Sequence, residues 1–447
     1  MSPDGIRSSH SSTPGSGAPG SGSQVEVDVL AAMRKPGALY WFLLLVCGSL
    51  FMVGMALWAY QMTRGMGVAG ITHPVGWGVY ITNFVFWVGI AHSGTLISAV
   101  LFLFRAGFRR SFNRSAEAMT VFAVMTAGLF PLIHLGRSWY FFWLFPYPTQ
   151  RLLWTNFKSP LMWDVFAVST YFTVSAVFFF IGMVPDLAIV KRFSSGVRKW
   201  FYSALSLGWK GSQVQWKHYN QLYMFLASFA TPLVVSVHSV VSWDFAMSIV
   251  PGWHTTIFAP YFVAGAIFSG TAMVITLVVP MRRILKLERY ITIDHFESIA
   301  KILLFTSLIV TYAYIVEYGL AFYSGSVYEI GIFKYRTFGH YRFYYYGMLL
   351  FNALVPMTLF VRSLRRNLPY LFILSILVNI GMYLERFVII VSSLAKEYSP
   401  YAWGTYKPTM VEVGITLGSF GFFFTMFLLF TKLLPVLSVT EIKEESH

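Results

Sequence analysis

The chain has 447 residues, of which 56% are hydrophobic and only 11% charged, less than half the charged share of an ordinary soluble domain. That balance excludes a water-soluble enzyme. The net charge of +15 does not argue for nucleic acid, because the basic residues fall in short clusters between long apolar runs, the pattern of a topology signal on a membrane face.

Residues 1–28, MSPDGIRSSHSSTPGSGAPGSGSQVEVD, are rich in Gly, Ser and Pro and are expected to form a disordered tail with no secretory-signal pattern. Beyond it the chain reads as all-α and polytopic. Runs long enough to cross a bilayer as helices fall at about 39–62, 77–104, 117–136, 162–184, 221–243, 257–280, 298–322, 343–361, 370–393 and 410–433. They lack the ten-residue alternation of membrane strands. Most of the 33 Lys and Arg lie in the tail, in every second connection (RAGFRR, KRFSSGVRK, MRRILKLER, RSLRR) and after the last span. The positive-inside rule therefore predicts ten spans with both termini in the cytoplasm.

The second and sixth spans both carry Ser-Gly-Thr, in HSGTLISAVLFLFR (92–105) and FSGTAMVITLVVPMR (268–282), and both run inward. A parallel repeat is expected: two four-helix bundles, over 77–256 and 257–400, flanked by one helix within 29–76 and one within 401–447. Small residues at helix contacts give an alternative account of the triplets.

With this topology the third span ends at the outer face with His134 and Arg137, and the fourth begins there with Asp164. The fifth ends there with His238 and Asp244. Trp139, Trp143, Trp154, Trp163 and Trp243 supply an interfacial belt. Ionisable groups in a span are costly and point to function. A lipid-soluble quinol fits this set, since its oxidation releases a proton from each ring hydroxyl. A histidine and a shielded carboxylate accept protons near neutral pH, and aromatic walls bury the ring. His134 and Asp164 are the candidate catalytic groups, and Arg137, His238 and Asp244 complete the candidate quinol site.

His92 lies mid-span, with Glu317 and Glu385 in the outer half of the second bundle and Tyr312, Tyr314, Tyr318 and Tyr383 near them in sequence. The reading is open between a proton pathway through His92, Glu317 and Glu385 and a neutral structural His92. Asp294, Glu297 and Glu117 sit at cytoplasmic helix ends and are expected to be solvated. The lone cysteine, Cys47, cannot ligate an iron–sulfur cluster or attach a c-type haem. A membrane b-haem needs two histidines at matching depth. His134 and His238 could meet at the outer face, but His218 near the inner side has no obvious mate and His92 has no partner at its depth. No haem, cluster or metal is therefore expected on this chain, so electrons from quinol must leave to a partner.

Four segments carry a resemblance: ITNFVFWVGIAHSGTLISAVLFLFR, RSAEAMTVFAVMTAGLFPLIHLGR, FWLFPYPTQRLLWTNFKSPLMWDVFAVSTYF and MVPDLA. They resemble the NrfD/polysulfide-reductase family of quinone-interacting membrane subunits, and within it they are most similar to the quinol-binding membrane subunit of bacterial alternative complex III. The resemblance implies a menaquinol or related quinol site involving His134, Asp164 and Asp244 on the periplasmic side of a bacterial inner membrane. It also implies an iron–sulfur subunit as electron acceptor, multi-haem cytochrome c subunits, a paralogous membrane subunit and a terminal oxidase downstream, with proton translocation as a further expectation. The non-quinol-binding paralogous membrane subunit of the same complex, a secondary transporter and a structural anchor are the competing readings. A one-sided polar set and the lack of mid-span Gly/Pro breaks disfavour the transporter.

Overall fold

The computed structural model describes residues 21–33, 36–148, 150–154 and 158–445. Among them every regular element is helical. In chain order these are α1 (Ser21–Ala32), α2 (Ala38–Arg64), α3 (Val79–Leu103), α4 (Asn113–His134), α5 (Pro160–Arg192), α6 (Gly196–Leu205) and α7 (Gln213–Ala246). They continue as α8 (Phe258–Ile284), α9 (Ile293–Ser324), α10 (Val327–Phe338), α11 (Arg342–Phe360), α12 (Leu368–Ala395), α13 (Met410–Leu433) and α14 (Val439–Glu445). Ten of them are long and apolar enough to cross a membrane, and each covers one predicted span. The chain is a multi-pass integral membrane protein.

Helix ends follow local chemistry. Pro160 opens α5 at a position whose N–H would have no partner anyway. Ser212 with Gln215 and Thr409 with Glu412 form capping boxes at α7 and α13. Glu412 also accepts from the Gly70 N–H (2.8 Å) and the Tyr406 hydroxyl (2.7 Å), tying two loops to the start of α13.

α3, α4, α5 and α7 pack in a ring as one bundle, and α8, α9, α11 and α12 as a second. α3 and α8 meet between the two, and α2 pairs with α13 against α4. Burial separates the roles: 83% of the apolar stretch of α3 is inside the protein, against 6% for α2. The Ser-Gly-Thr triplets are not equivalent in place. A Cβ on Gly94 would lie 2.1 Å from Ala116 O on α4, within the first bundle. One on Gly270 would lie 2.5 Å from Ile90 O, across the bundle interface. Each triplet is a close-packing device, and the two-bundle plan rests on the helix arrangement instead.

Two expectations need correction. Residues 21–28 are helical, because Val25 and Val29 bury their side chains and Asp28 accepts from Tyr290 OH (2.7 Å); residues 1–20 lie outside the described set. Glu117 and Glu297 are buried, not solvated, Glu297 against Arg366 (2.5 Å). Arg114, itself buried, bridges Glu117 (3.0 Å) and Asp186 (3.0 Å), and Tyr223 OH donates to Glu117 (3.2 Å). Asp186 accepts in turn from Thr440 of α14 (2.7 Å). Arg109 (3.0 Å) and Asn113 (3.0 Å) hold Glu441 of the same helix. Burial pushes the Glu441 carboxyl up, against the pull of Arg109. α1 packs on α14, so both ends of the described chain lie on one side, here called the terminal side.

The flanking pair is held by backbone contact. Gly54 and Gly418 meet so closely that a Cβ on Gly418 would lie 2.5 Å from Gly54 Cα. Gly418→Leu should therefore lower stability by about 1–3 kcal/mol and raise alkylation of Cys47 on α2, read by thermal unfolding and thiol labelling. Unchanged values in both would show that this contact does not hold the pair.

Candidate functional site

The polar residues fall at two depths. At the face opposite the termini, His134 is the last residue of α4, Asp164 lies in the first two turns of α5, and Asp244 is two residues from the end of α7. Asp164 and Asp244 are buried and turn their carboxyls to each other. None of their four oxygens has a hydrogen-bond donor. A proton held between the two carboxyls, or a hydroxyl from outside the chain, would supply what is missing. The rings of Trp163 and Trp243, next in sequence to the two acids, meet edge to face at 6.2 Å.

His134 is half-buried with its Nδ1 unpartnered. Gln61 of α2 fixes the end of its helix by donating to Ile133 O (3.1 Å) and accepting from Tyr80 OH. Among the described residues no hydrogen bond or ion pair joins His134 to either aspartate. Arg137 is exposed just beyond the helix.

His238 is not at this level. It precedes Asp244 by six residues, about 9 Å of helix rise, and its ring meets His92 edge to face at 4.5 Å. His92 therefore has the mate at its own depth that the sequence did not reveal. Its Nδ1 lies 2.6 Å from Val88 O, so the proton is assigned to that nitrogen and Nε2 is left as an acceptor. Tyr171 stacks on its other side at 5.0 Å and bonds to Thr95 (2.8 Å) and Ala91 O (3.0 Å). His92 Nε2 and both nitrogens of His238 are buried without partners. Two rings in direct contact leave no room for a flat macrocycle between them, so the pair does not fit as axial ligands of one haem. Among the described residues no group of three or more His, Cys, Asp or Glu is arranged to hold a metal ion.

The line continues into the second bundle. His238 packs on Phe262 (5.9 Å), whose ring lies under the buried Arg386 guanidinium (4.1 Å). Arg386 pairs with Glu385 (3.1 Å). Glu385 accepts from Tyr314 OH and from Asn352 (3.3 Å). Beyond Tyr314 a cavity, with about 10 Å³ open to the centre of a water molecule, is lined by Tyr261, Glu317, Tyr318 and Arg336, the volume of about one water. Glu317 pairs there with Arg336 (3.1 Å), which Ser392 and Ser393 also hold (2.9 Å each). His92, Glu385 and Glu317 thus lie on one buried polar line. Tyr314 and Tyr318 belong to it; Tyr312 is 63% exposed on the outer surface of its helix, and Tyr383 packs on Phe86 instead.

Tyr171, Phe262, Arg386, Asn352 and Arg336 were missed by sequence reasoning. Arg386 had a signal, an unlike-charge pair with Glu385 inside an apolar span; Arg336, on the short helix α10, had none. All three wide π turns of the described chain border this line: Leu96–Val100 after His92, Val388–Ser392 after Arg386, and Leu350–Leu354 around Asn352. Such turns gather at functional sites.

The profile of the family described as "Polysulphide reductase, NrfD" matches residues 67–396, which is both bundles. The chain belongs to the NrfD family. Its members are membrane subunits of quinol-interacting oxidoreductase complexes that partner with iron–sulfur subunits. Among similar proteins is one of Halobacterium salinarum, provisionally named as a membrane subunit of dimethyl sulfoxide reductase, 26% identical over 83% of this chain and 86% of its own length. A selenate reductase subunit of Mesobacillus selenatarsenatis is 23% identical over 52% and 54%. An Hdr-like menaquinol oxidoreductase integral membrane subunit of Archaeoglobus fulgidus is 21% identical over 41% and 44%. The α2–α13 pair lies outside the matched region.

Contact between the two mid-membrane histidines is testable by a double-mutant cycle. His92→Ala and His238→Ala should show a coupling of about 0.5–1.5 kcal/mol in unfolding free energy. Strict additivity would mean that the rings do not interact.

Proposed function

We infer that this protein binds quinol at the face opposite its termini and takes up the two ring protons as the electrons depart. The observation that supports this most is the Asp164–Asp244 pair, buried and without a donor. One quinol hydroxyl donates to this pair and the other to His134, while Arg137 borders the entrance. Oxidation converts the quinol to quinone, passes two electrons to an iron–sulfur partner and leaves two protons on these groups for release to the outer side. The membrane is a bacterial inner membrane with the basic terminal side cytoplasmic. Menaquinol is the favoured substrate, in keeping with the Archaeoglobus relative, a menaquinol oxidoreductase subunit.

Two assemblies fit this chemistry. In alternative complex III, electrons continue to multi-haem cytochrome c subunits and a terminal oxidase beside a paralogous membrane subunit. The relatives named after dimethyl sulfoxide and selenate reductases favour a second reading, in which the iron–sulfur partner feeds a catalytic reductase subunit. The haem content of the co-purified complex separates them. In either assembly Asp164→Asn, Asp244→Asn and His134→Ala should each lower quinol turnover by about 10²-fold or more, the scale of a lost general base. Near-wild-type turnover in an intact complex would return these residues to helix-end packing.

The polar line from His92 and His238 to Glu385 and Glu317 is assigned to proton movement coupled to that turnover. His92→Gln should leave quinol affinity unchanged and alter the protons moved per electron in reconstituted vesicles. A purely structural histidine would instead lower assembly and leave that ratio as it was.

A further inference from the structure

An apolar groove enclosing about 1370 Å³ runs between the α2–α13 pair and the α8–α12 face of the second bundle. From Val413 to Lys432 its α13 wall extends about 28 Å by helix rise, close to the thickness of the hydrocarbon core. Cys47, Met273, Ile380 and Phe420 are typical of its lining. The polar groups at mid-depth bond among themselves: Asn379 donates to Ser375 O (2.9 Å), and Asn83 to Thr416 (2.8 Å).

The terminal-side end differs in chemistry. Lys286 and Lys432 line it, and among the described residues no carboxylate pairs with either. Lys432 spends one of its three N–H donors on Ala32 O (2.8 Å) and lies over the Tyr40 ring, so two donors remain. The one acid in the lining, Asp28, is engaged by Tyr290 (2.7 Å) and Gln24 (2.9 Å). α1 closes this end through Asp28, Ala31 and Ala32, so a transmembrane helix cannot pass through, whereas a lipid whose polar head stops beneath α1 can be seated.

We propose that the groove is a binding site for an anionic phospholipid, its phosphate on Lys286 and Lys432 and its chains along α8, α12 and α13. The lipid fills the seam between the flanking pair and the second bundle. The site is independent of the quinol reading.

The test uses the full chain in its purified complex, stripped of lipid and offered phosphatidylglycerol or phosphatidylcholine of identical chains in mixed micelles, with bound lipid counted by native mass spectrometry. Phosphatidylglycerol should be retained preferentially. Lys286→Gln with Lys432→Gln should weaken its binding about thirty-fold, from two surface cations near a lipid headgroup. Ile380→Trp, which fills the groove and keeps both lysines, should also displace it. Equal retention of the two lipids, or no response to either kind of variant, would overturn the proposal. So would a crosslink from Cys47 to another polypeptide in the intact complex, which would assign the groove to a protein segment.

Discussion

A bilayer offers no water to a polar group inside it, so each must be satisfied by another part of the chain or stand ready for something that arrives. This constraint sorts the polar residues of the protein. Arg114, Glu117 and Asp186 close on one another and on α14, and no carboxylate there is left without a donor. Glu385 is similarly engaged by Tyr314, Asn352 and Arg386. The Asp164–Asp244 pair and the free nitrogens of His92 and His238 are not. The first groups are the means by which helices are fixed; the second have capacity to spare.

The packing of α3 on α8 connects the two depths to the two bundles. Gly270 lets these helices approach, and the approach sets His238 of the first bundle against Phe262 of the second. Without that closeness the imidazoles and the Arg386–Glu385 pair would belong to separate cores. A single aromatic ring, with a histidine at one side and a guanidinium over its face, is the joint. The histidine pair of one bundle and a charge pair in the other thus share a continuous interior.

Much of the fold was legible because hydrophobic length is nearly sufficient to define a span. Depth was harder. His238 and Asp244 stand on the same helix, and only the rise of six residues separates the level of the aspartates from that of His92. Lateral neighbours were harder still: nothing in the sequence ties Arg336 to Glu317, because α10 returns to α9 through a turn whose course is set by packing. Glu117 looked solvated because it stands near a helix end, yet the C-terminal helix covers it. The helix at 21–32 was hidden by Gly/Ser composition just before it, although Val25 and Val29 are spaced to share one face.

The wide turn in α3 has a geometric meaning for what lies beyond it. A π turn counts as one extra residue in an otherwise regular helix, and one residue is worth about 100° of rotation. Everything after Val100 is turned by that much from where a regular helix would carry it, including the approach to Arg109 and its ion pair with Glu441. Deleting one residue between Leu96 and Val100 would leave composition, charge and span length almost unchanged. It would also remove the wide turn and keep Arg109 facing α14. A regular helix of unchanged length would instead swing the Arg109 side of the chain away, so that the azimuth of a terminal-side contact is fixed by a feature beside the mid-membrane histidines.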